Sequence, residues 1–397
     1  MIAQPGAGSP AGANVGSAAG PLSGIIVVDL TRVLAGPFCT MLLADLGARV
    51  IKVENPRSGD DSRAYGPFIN GKSGYFIAQN RGKESIALDL KNPDDQAILH
   101  RLLRRADVLV ENFRPGTMAR LGFGQESLKL LYPQLIYAAT SGFGQTGPYA
   151  DRPAYDIIAQ AMGGIMSLTG HEGSPPTRVG ASIGDLGAGL FTALGIVSAL
   201  HHRSRTGEGI AVDVAMLDSQ LALLENAIAR YYSTGTSPKP LGARHPSIAP
   251  FEAYEVADGH IVIACGNDPL FRQFCRAVGH DQLADDPLFA TNTKRSENVV
   301  ALKAAMEAFL KTQTRQYWLD LLGKAGIPSA PINDVEQAIN DPQVRHRKVV
   351  LPLDDASVAP LEVAGSPIKF SAYPVPEKRP RAPDLDEDRA RILADFP

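Results

Sequence analysis

Cysteine is scarce in this 397-residue sequence, and its placement excludes more than its number does. Cys39, Cys265 and Cys275 lie far apart and form no C-x-x-C. That argues against a zinc site and a disulfide framework, and fits a reducing, cytoplasmic compartment. As isolated thiols they read as small buried hydrophobes. No basic residue precedes Arg32, and no apolar h-region opens the chain, so no secretory signal is expected. No apolar run approaches the roughly 20 residues of a membrane span. Surplus charge is lacking too: a net charge of −3 gives no footprint for nucleic acid or an anionic membrane. No pair of histidines shows metal-ligand spacing, His201 and His202 being merely adjacent, so no metal is expected. A G-x-S-x-G elbow, a P-loop and internal repeats are all missing.

What remains is an ordinary globular composition, 44% hydrophobic and 20% charged, with length enough for two or three domains. Residues 1–20 are mostly Ala, Gly, Ser and Pro and read as a disordered tail, because they hold too little apolar surface to order themselves. Beyond them short β-branched runs alternate with helical patterns. Ile25–Leu30, Arg49–Glu54, Ser85–Leu90, Asp107–Val110, Leu135–Ala139 and Gly209–Ala215 read as strands. Gly36–Gly47 and Asn92–Ala106 read as helices, the second with Asn92 to cap it and Pro93 in its first turn. Single helices are expected over Pro153–Gly170 and from Met216 to Tyr232. Such alternation implies an α/β fold with a parallel sheet covered on both faces. Ligands of such sheets sit beyond the carboxyl ends of the strands, which directs attention to the loops Thr31–Pro37, Asn55–Gly82, Glu111–Gly116 and Ser141–Asp151. Ser233–Pro250 has a linker composition. Phe251–Cys265 reads as a hairpin turning at Asp258-Gly259, and three helical stretches after it suggest a smaller α+β domain.

One carboxylate stands in an unusual setting. Asp185 lies in G-A-S-I-G-D-L-G-A-G (Gly180–Gly189), followed by small and apolar residues that read as a buried helix. Glycines let a ligand approach the backbone, and a helix N-terminus is expected to keep a carboxylate ionised. Asp is also a preferred helix cap, and on this stretch alone capping is the simpler reading. Gly142, Gly144 and Gly147 form a literal G-x-G-x-x-G, but Pro148, Asp151 and Pro153 crowd the turn where a dinucleotide fold needs a helix. A nicotinamide-dependent oxidoreductase therefore stays a minor alternative, and a loop lining a pocket is preferred. Arg32, Lys52, Arg81, Lys83, Lys91, Arg114 and Arg120 fall at or beside the loops and suit a phosphate-bearing ligand, against the plainer reading of solvated charges. His245, at the domain junction, is a candidate for a substrate carboxylate.

Taken together the motifs resemble a known family. Pro21–Pro37, Leu46–Glu54, Asn80–Lys91, Val110–Gly116 and Gly184–Gly189 look like the class III CoA-transferases, the formyl-CoA transferase/carnitine-CoA transferase (CaiB/BaiF-like) family. The resemblance runs from residue 21 nearly to the end. It implies an intertwined homodimer and a large Rossmann-like domain built from both ends of the chain. The expected divisions are 21–232 for the first part of that domain, 233–250 for a linker, 251–326 for the small domain and 327–397 for the return. It implies Asp185 as nucleophile, and CoA contacts at Leu88, Lys91, Asn112, Phe113 and Arg120, with Val33 and Arg114 as additions. Coenzyme A and acyl-CoA enter as substrates, with no permanently bound cofactor. Gly142, Gly144 and Gly184 are candidates to donate to an oxyanion. A four-glycine loop of the formyl-CoA transferases is replaced by Ala264–Pro269 (A-C-G-N-D-P), which argues against oxalate and formyl-CoA and turns attention to succinyl-CoA with a dicarboxylic or hydroxy-acid acceptor. Arg178 and Arg244, with His245, are the residues offered for a second carboxylate.

The implied chemistry exchanges CoA through an aspartyl mixed anhydride and an aspartyl–CoA thioester. An α-methylacyl-CoA racemase is the rival on the same fold. Its chemistry needs two acid–base groups, and where the racemases carry a His-Asp pair this sequence has Tyr155-Asp156. A CoA-binding protein without activity is the remaining alternative, and the retained Asp185 speaks against it.

Overall fold

The computed structural model describes residues 20–397, so the expected tail over residues 1–20 falls almost wholly outside the described residues. Two compact units emerge. One comprises the chain up to Ile165, Val179–Glu225 and Gln343–Pro397; the other comprises Met166–Arg178 and Asn226–Pro342.

The first unit is built on six strands: β1 (Ile26–Asp29), β2 (Arg49–Glu54), β3 (Glu84–Ala87), β4 (Val108–Glu111), β5 (Ile136–Ser141) and β6 (Ala211–Ala215). They pair in the order β3-β2-β1-β4-β5-β6, every pair parallel. This is the doubly wound Rossmann order, with its reversal between β1 and β4. Side chains alternate across the sheet as the pleat requires. Val28, Ile51 and Leu109 join Leu99, Leu102 and Leu103 of a helix over Pro93–Leu103. Val27, Val50 and Val108 join the opposite layer with Cys39 and Leu43. The chain end returns to the sheet: Ile392 and Phe396 pack on the first face. Asp388 Oδ2 and Asp386 Oδ1 accept the N–H groups of Ser85 (2.8 Å) and Ala87 (2.7 Å) on edge strand β3, which removes donors that would otherwise template another strand.

Four helices frame the site: α1 (Ala35–Asp45), α2 (Gly74–Asn80), α3 (Asp156–Met162) and α4 (Ile183–Thr206). Helix α4 packs on α1 through a small-residue face. A Cβ on Gly189 would lie 2.7 Å from the Ala35 carbonyl oxygen, so only glycine permits this approach. By length and composition α4 is apolar enough to cross a membrane, although Gly, Thr and Ser interrupt its apolar residues, and its Ala188, Thr192, Ile196 and Ala199 are buried within the fold. Two expected long helices are shorter. The Pro153–Gly170 helix is confined to α3 and a short 3-10 turn over Ile165–Ser167, since Gly164 takes φ +84°. The Met216–Tyr232 helix is split into Met216–Ala222 and Ala227–Thr234, with Glu225 at φ +55° between them.

In the second unit β7 (Phe251–Val256) and β8 (Gly259–Ala264) form the hairpin, and β9 (Ser329–Pro331) adds antiparallel to β8. Val256 pairs with Gly259, so the turn is Ala257-Asp258, one residue earlier than expected. Helices over Asp268–Ala277, Val299–Leu310 and Arg315–Lys324 cover the sheet around Tyr254, Phe274 and Trp318.

Candidate active site

The loops after β1 and β4 meet where the strand order reverses. Asn112 joins them: its Nδ2 donates to the Arg32 carbonyl (2.8 Å) and its Oδ1 accepts the Arg32 N–H (2.9 Å). Phe113 is held by its N–H, which donates to Glu111 Oε2 at 2.7 Å. Burial pushes the Glu111 carboxyl up to about 7, although the Phe113 N–H and the Tyr137 hydroxyl oppose it. Val33 takes φ +70°, a left-handed conformation that is strained for a β-branched residue. Its N–H donates to Asp60 Oδ1 at 3.0 Å. Asp60 pairs in turn with Lys52 at 2.8 Å, both side chains fully buried, and Lys52 Nζ donates to the Thr31 carbonyl at 2.7 Å. Against the pull of burial, Lys52 and Ser62 bring the Asp60 carboxyl down to about 2.

This network corrects part of the sequence reading. Lys52, Lys83 and Arg81 are not free to meet a phosphate. Lys83 pairs with Asp29 at 3.0 Å beneath the loops, and Arg81 pairs with Asp45. Buried cations of this kind demand fixed counter-charges. Lys91, Arg114 and Arg120 are exposed, and Arg120 donates to Thr117 Oγ1 at 2.9 Å.

Two cavities open above the strand ends. One, of about 180 Å³, is lined by Val33, Asn112, Phe113, Arg114, Gly142 and Asp185 among others. The second, of about 280 Å³, takes in Leu88, Lys91 and Phe113. Arg32, Asp61 and Phe113 line both, so the two form one trough. Leu88, Lys91, Asn112, Phe113, Arg114, Val33, Gly142 and Asp185 are thus brought together. Arg120 lines neither cavity, although its neighbour Leu121 lines the second. His245 belongs to the second unit, where its N–H donates to the Phe251 carbonyl at 3.0 Å and its ring packs on Phe251; Arg178 and Arg244 lie in that unit as well.

Asp185 sits in the first turn of α4 and does not cap it. Asp156, in the first turn of α3, does so: its Oδ1 accepts the Gly184 N–H at 2.8 Å, and its Oδ2 accepts Gln160 Nε2 at 2.7 Å. The Asp185 carboxylate has no hydrogen-bond or ion-pair partner among the described residues. Burial, aided by the charge of Asp156, pushes its carboxyl up to about 7. The expectation that the helix terminus favours its ionised form is opposed here by desolvation and a like charge, which shift the carboxyl upward. Two expected oxyanion donors are already occupied: the Gly184 N–H by Asp156, and the Gly144 N–H by Ser141 Oγ at 2.9 Å. The N–H groups of Gly142 and of Asp185 itself have no acceptor among the described residues.

Sequence reasoning missed Tyr65, which lines the Asp185 cavity, and the aromatic groups that pack beside that lining. Burial and the Asp185 charge push the Tyr75 phenol up to about 12, and Tyr65 meets the Tyr75 ring edge-on with centroids 5.8 Å apart. Arg152, which lines the Asp185 cavity, stacks over Tyr149 at 3.9 Å. No periodicity marks these residues, since Tyr65, Tyr75 and the Tyr149–Arg152 turn come from separate segments. Among the described residues no cluster of three or more His, Cys, Asp or Glu is arranged to hold a metal ion.

Comparison with known proteins gives a consistent result. The family described as CoA-transferase family III matches residues 22–389. An acetyl-CoA:oxalate CoA-transferase of Acetobacter aceti is 50% identical over 378 residues, covering 95% of this chain and 96% of its own. A succinate–glutarate CoA-transferase of Agrobacterium fabrum is 44% identical, with coverage of 95% and 96%. A crystal structure of a CaiB/BaiF family protein from Brucella suis superposes with a TM-score of 0.84 at 41% identity, covering 95% of this chain and all (100%) of that one.

Proposed function

Because the chain belongs to CoA-transferase family III and is a CoA-transferase, we propose that Asp185 carries the acyl exchange between a CoA thioester and a dicarboxylic acid. The observation that supports this most is the unpaired Asp185 carboxylate at one end of a trough whose other end is formed by Leu88 and Lys91. A carboxylate oxygen of Asp185 attacks the thioester carbonyl carbon. The C–S bond breaks, leaving a mixed anhydride and CoA thiolate. The thiolate attacks the aspartyl carbonyl carbon, the donor acid departs as carboxylate, and an aspartyl–CoA thioester remains. The acceptor carboxylate attacks that thioester and displaces the thiolate, giving a second mixed anhydride. Attack of the thiolate on the acceptor acyl carbon forms the new acyl-CoA and restores Asp185. No step requires a proton carrier, which suits a site with Tyr155 where the rival racemases have histidine. Asp156, the other carboxylate nearby, is engaged by Gly184 and Gln160. The N–H groups of Gly142 and Asp185 are the donors we assign to the tetrahedral oxyanions.

Arg32, Arg114 and Arg152 all line the Asp185 cavity, and guanidinium groups are suited to a second carboxylate. The relatives named above act on oxalate and glutarate, so the missing four-glycine loop no longer counts against oxalate, and succinyl-CoA or acetyl-CoA is the donor to test first. The exposed Leu190, Phe191 and Leu194 of α4 and Ile157 and Ile158 of α3 give a second copy of this chain an apolar face to cover, consistent with the intertwined homodimer. A cytoplasmic location completes the reading. Mass spectrometry after adding hydroxylamine and succinyl-CoA tests it: a single hydroxamate at Asp185 is expected, and an active Asp185→Ala enzyme overturns it.

A further inference from the structure

The amino ends of the strands carry a second concentration of charge. Asp45 closes α1 just before β2, and two buried guanidinium groups converge on it. Arg81 reaches both carboxylate oxygens, at 2.5 and 2.9 Å, and also donates to the Ala364 carbonyl at 2.8 Å. Arg379 comes no nearer than 3.3 Å to Asp45 Oδ1, with its side chain only 4% exposed. No hydrogen bond from the Arg379 side chain reaches an acceptor among the described residues, and its buried Nε has no partner. Arg379 lines a cavity of about 250 Å³ with Asp45, Ser366, Lys369 and Tyr373. Lys369 Nζ is aimed by the Ser366 carbonyl at 3.0 Å and the Lys348 carbonyl at 3.5 Å. Burial lowers the Lys369 ammonium, and Arg379 and Arg347 lower it further while Asp45 opposes them. The nearby Glu377 is taken by Lys348.

One carboxylate therefore serves Arg81, Arg379 and Lys369. A guanidinium removed from water needs acceptors and a compensating charge, and breaking such compensation is costly. Planar N–H arrays beside an ammonium are what a multidentate oxyanion fits. We propose that this cavity binds a small oxyanion, a phosphate or carboxylate group, between Arg379 and Lys369. The site is separate from the acyl-CoA trough. Gly20 and Pro21, which line it, precede β1, Asp45 precedes β2 and Arg81 precedes β3, whereas Asp185 and its loops lie beyond the opposite strand ends.

The test is thermal denaturation of the full chain in a buffer free of phosphate and carboxylate. Inorganic phosphate, succinate and sodium chloride are titrated at matched ionic strength. Phosphate or succinate is expected to raise the melting temperature beyond chloride, by mass action on the folded state, and the stronger of the two identifies the source of the group. Arg379→Gln and Lys369→Met are each expected to need at least about tenfold more of that anion for the same rise, the loss of one charge-assisted contact. Asp185→Asn, disabled in transfer, is expected to keep the full response, so failure of this site and failure of the Asp185 mechanism are read separately. If Arg379→Gln does not fold, Lys369→Met decides. An equal rise with chloride, or an unchanged response in Lys369→Met, overturns the proposal.

Discussion

Asp156 and Asp185 open adjacent helices, and only Asp156 is hydrogen-bonded. Its carboxylate is fixed by the Gly184 N–H and the Gln160 amide, and its charge, added to burial, lifts Asp185 to about 7. The raised group is the one whose carboxylate lacks hydrogen-bond partners, because burial and a like charge both disfavour its ionised form.

Attack on a thioester requires the ionised form of Asp185. In the proposed mechanism kcat/KM for the acyl-CoA donor therefore rises with pH along a limb near 7 and levels off above it. Asp156→Asn removes the neighbouring charge and keeps an oxygen for the Gly184 N–H. That limb is then expected to move to lower pH, at about 1–2 kcal/mol of stability because Gln160 loses its acceptor. A pH–rate profile of both proteins reads the shift, and a limb that stays in place in the variant would contradict the coupling.

The same shift has a consequence for folding. The folded chain binds the Asp185 proton more tightly than the unfolded chain does, so the wild-type group is least costly at low pH and most costly once pH exceeds about 7. Asp185→Asn does not titrate. Its gain in melting temperature over wild type is expected to be largest above that pH and to vanish below the ordinary carboxylate range near 4. The step from 3.8 to about 7 sets an upper bound of about 4 kcal/mol. Calorimetry of both proteins across pH measures the difference, and a variant no more stable at alkaline pH would refute a desolvated Asp185. Transfer activity should disappear in the same variant.

The parallel sheet was legible because its strands are short β-branched runs punctuated by Gly, Pro and Asn; Arg49–Glu54 coincides with the strand itself. The break at Glu225 was not, since the stretch around it holds neither Gly nor Pro and its periodicity continues unbroken. Lys52 in V-I-K-V-E looks like any loop-edge lysine until the fold brings Asp60 to it. For Asp185 the glycine setting was readable, but the protonation state was not. It depends on burial and on Asp156, which is remote in sequence and adjacent only after α3 and α4 pack. Tyr75 is hidden for the same reason.

Asp60 is the brace of the strained Val33 turn. Asp60→Asn leaves Lys52 buried without its ion pair, so a loss of about 3–5 kcal/mol is expected. It also weakens the hold on the Val33 N–H, and KM for the acyl-CoA donor should rise about tenfold or more with a smaller change in kcat. Adding Lys52→Met removes the stranded charge and should restore part of the stability without restoring KM. Chemical denaturation and steady-state kinetics on the two single variants and the double variant resolve these terms. Recovery of KM in the double variant would show that the turn does not depend on Asp60.

Gly189 and Gly207 separate packing at the site from stability in general. A methyl group at Gly189 would stand 2.7 Å from the Ala35 carbonyl and 3.0 Å from the Phe38 ring. Helix α1 begins directly after the Val33 turn and α4 carries Asp185, so forcing them apart disturbs both walls of the cavity. Gly189→Ala is expected to cost about 1–3 kcal/mol through overpacking, offset by up to about 1 kcal/mol of helix propensity, and to lower kcat markedly. Gly207, which ends α4 at φ +78° with nothing near its missing side chain, loses about 1 kcal/mol on substitution by Ala through backbone strain alone. Because it lies at the far end of the helix from Asp185, kcat should be unchanged. Melting temperatures and kcat measured side by side distinguish the two, and equal activity in both variants would mean that the α1–α4 contact does not set the geometry at Asp185.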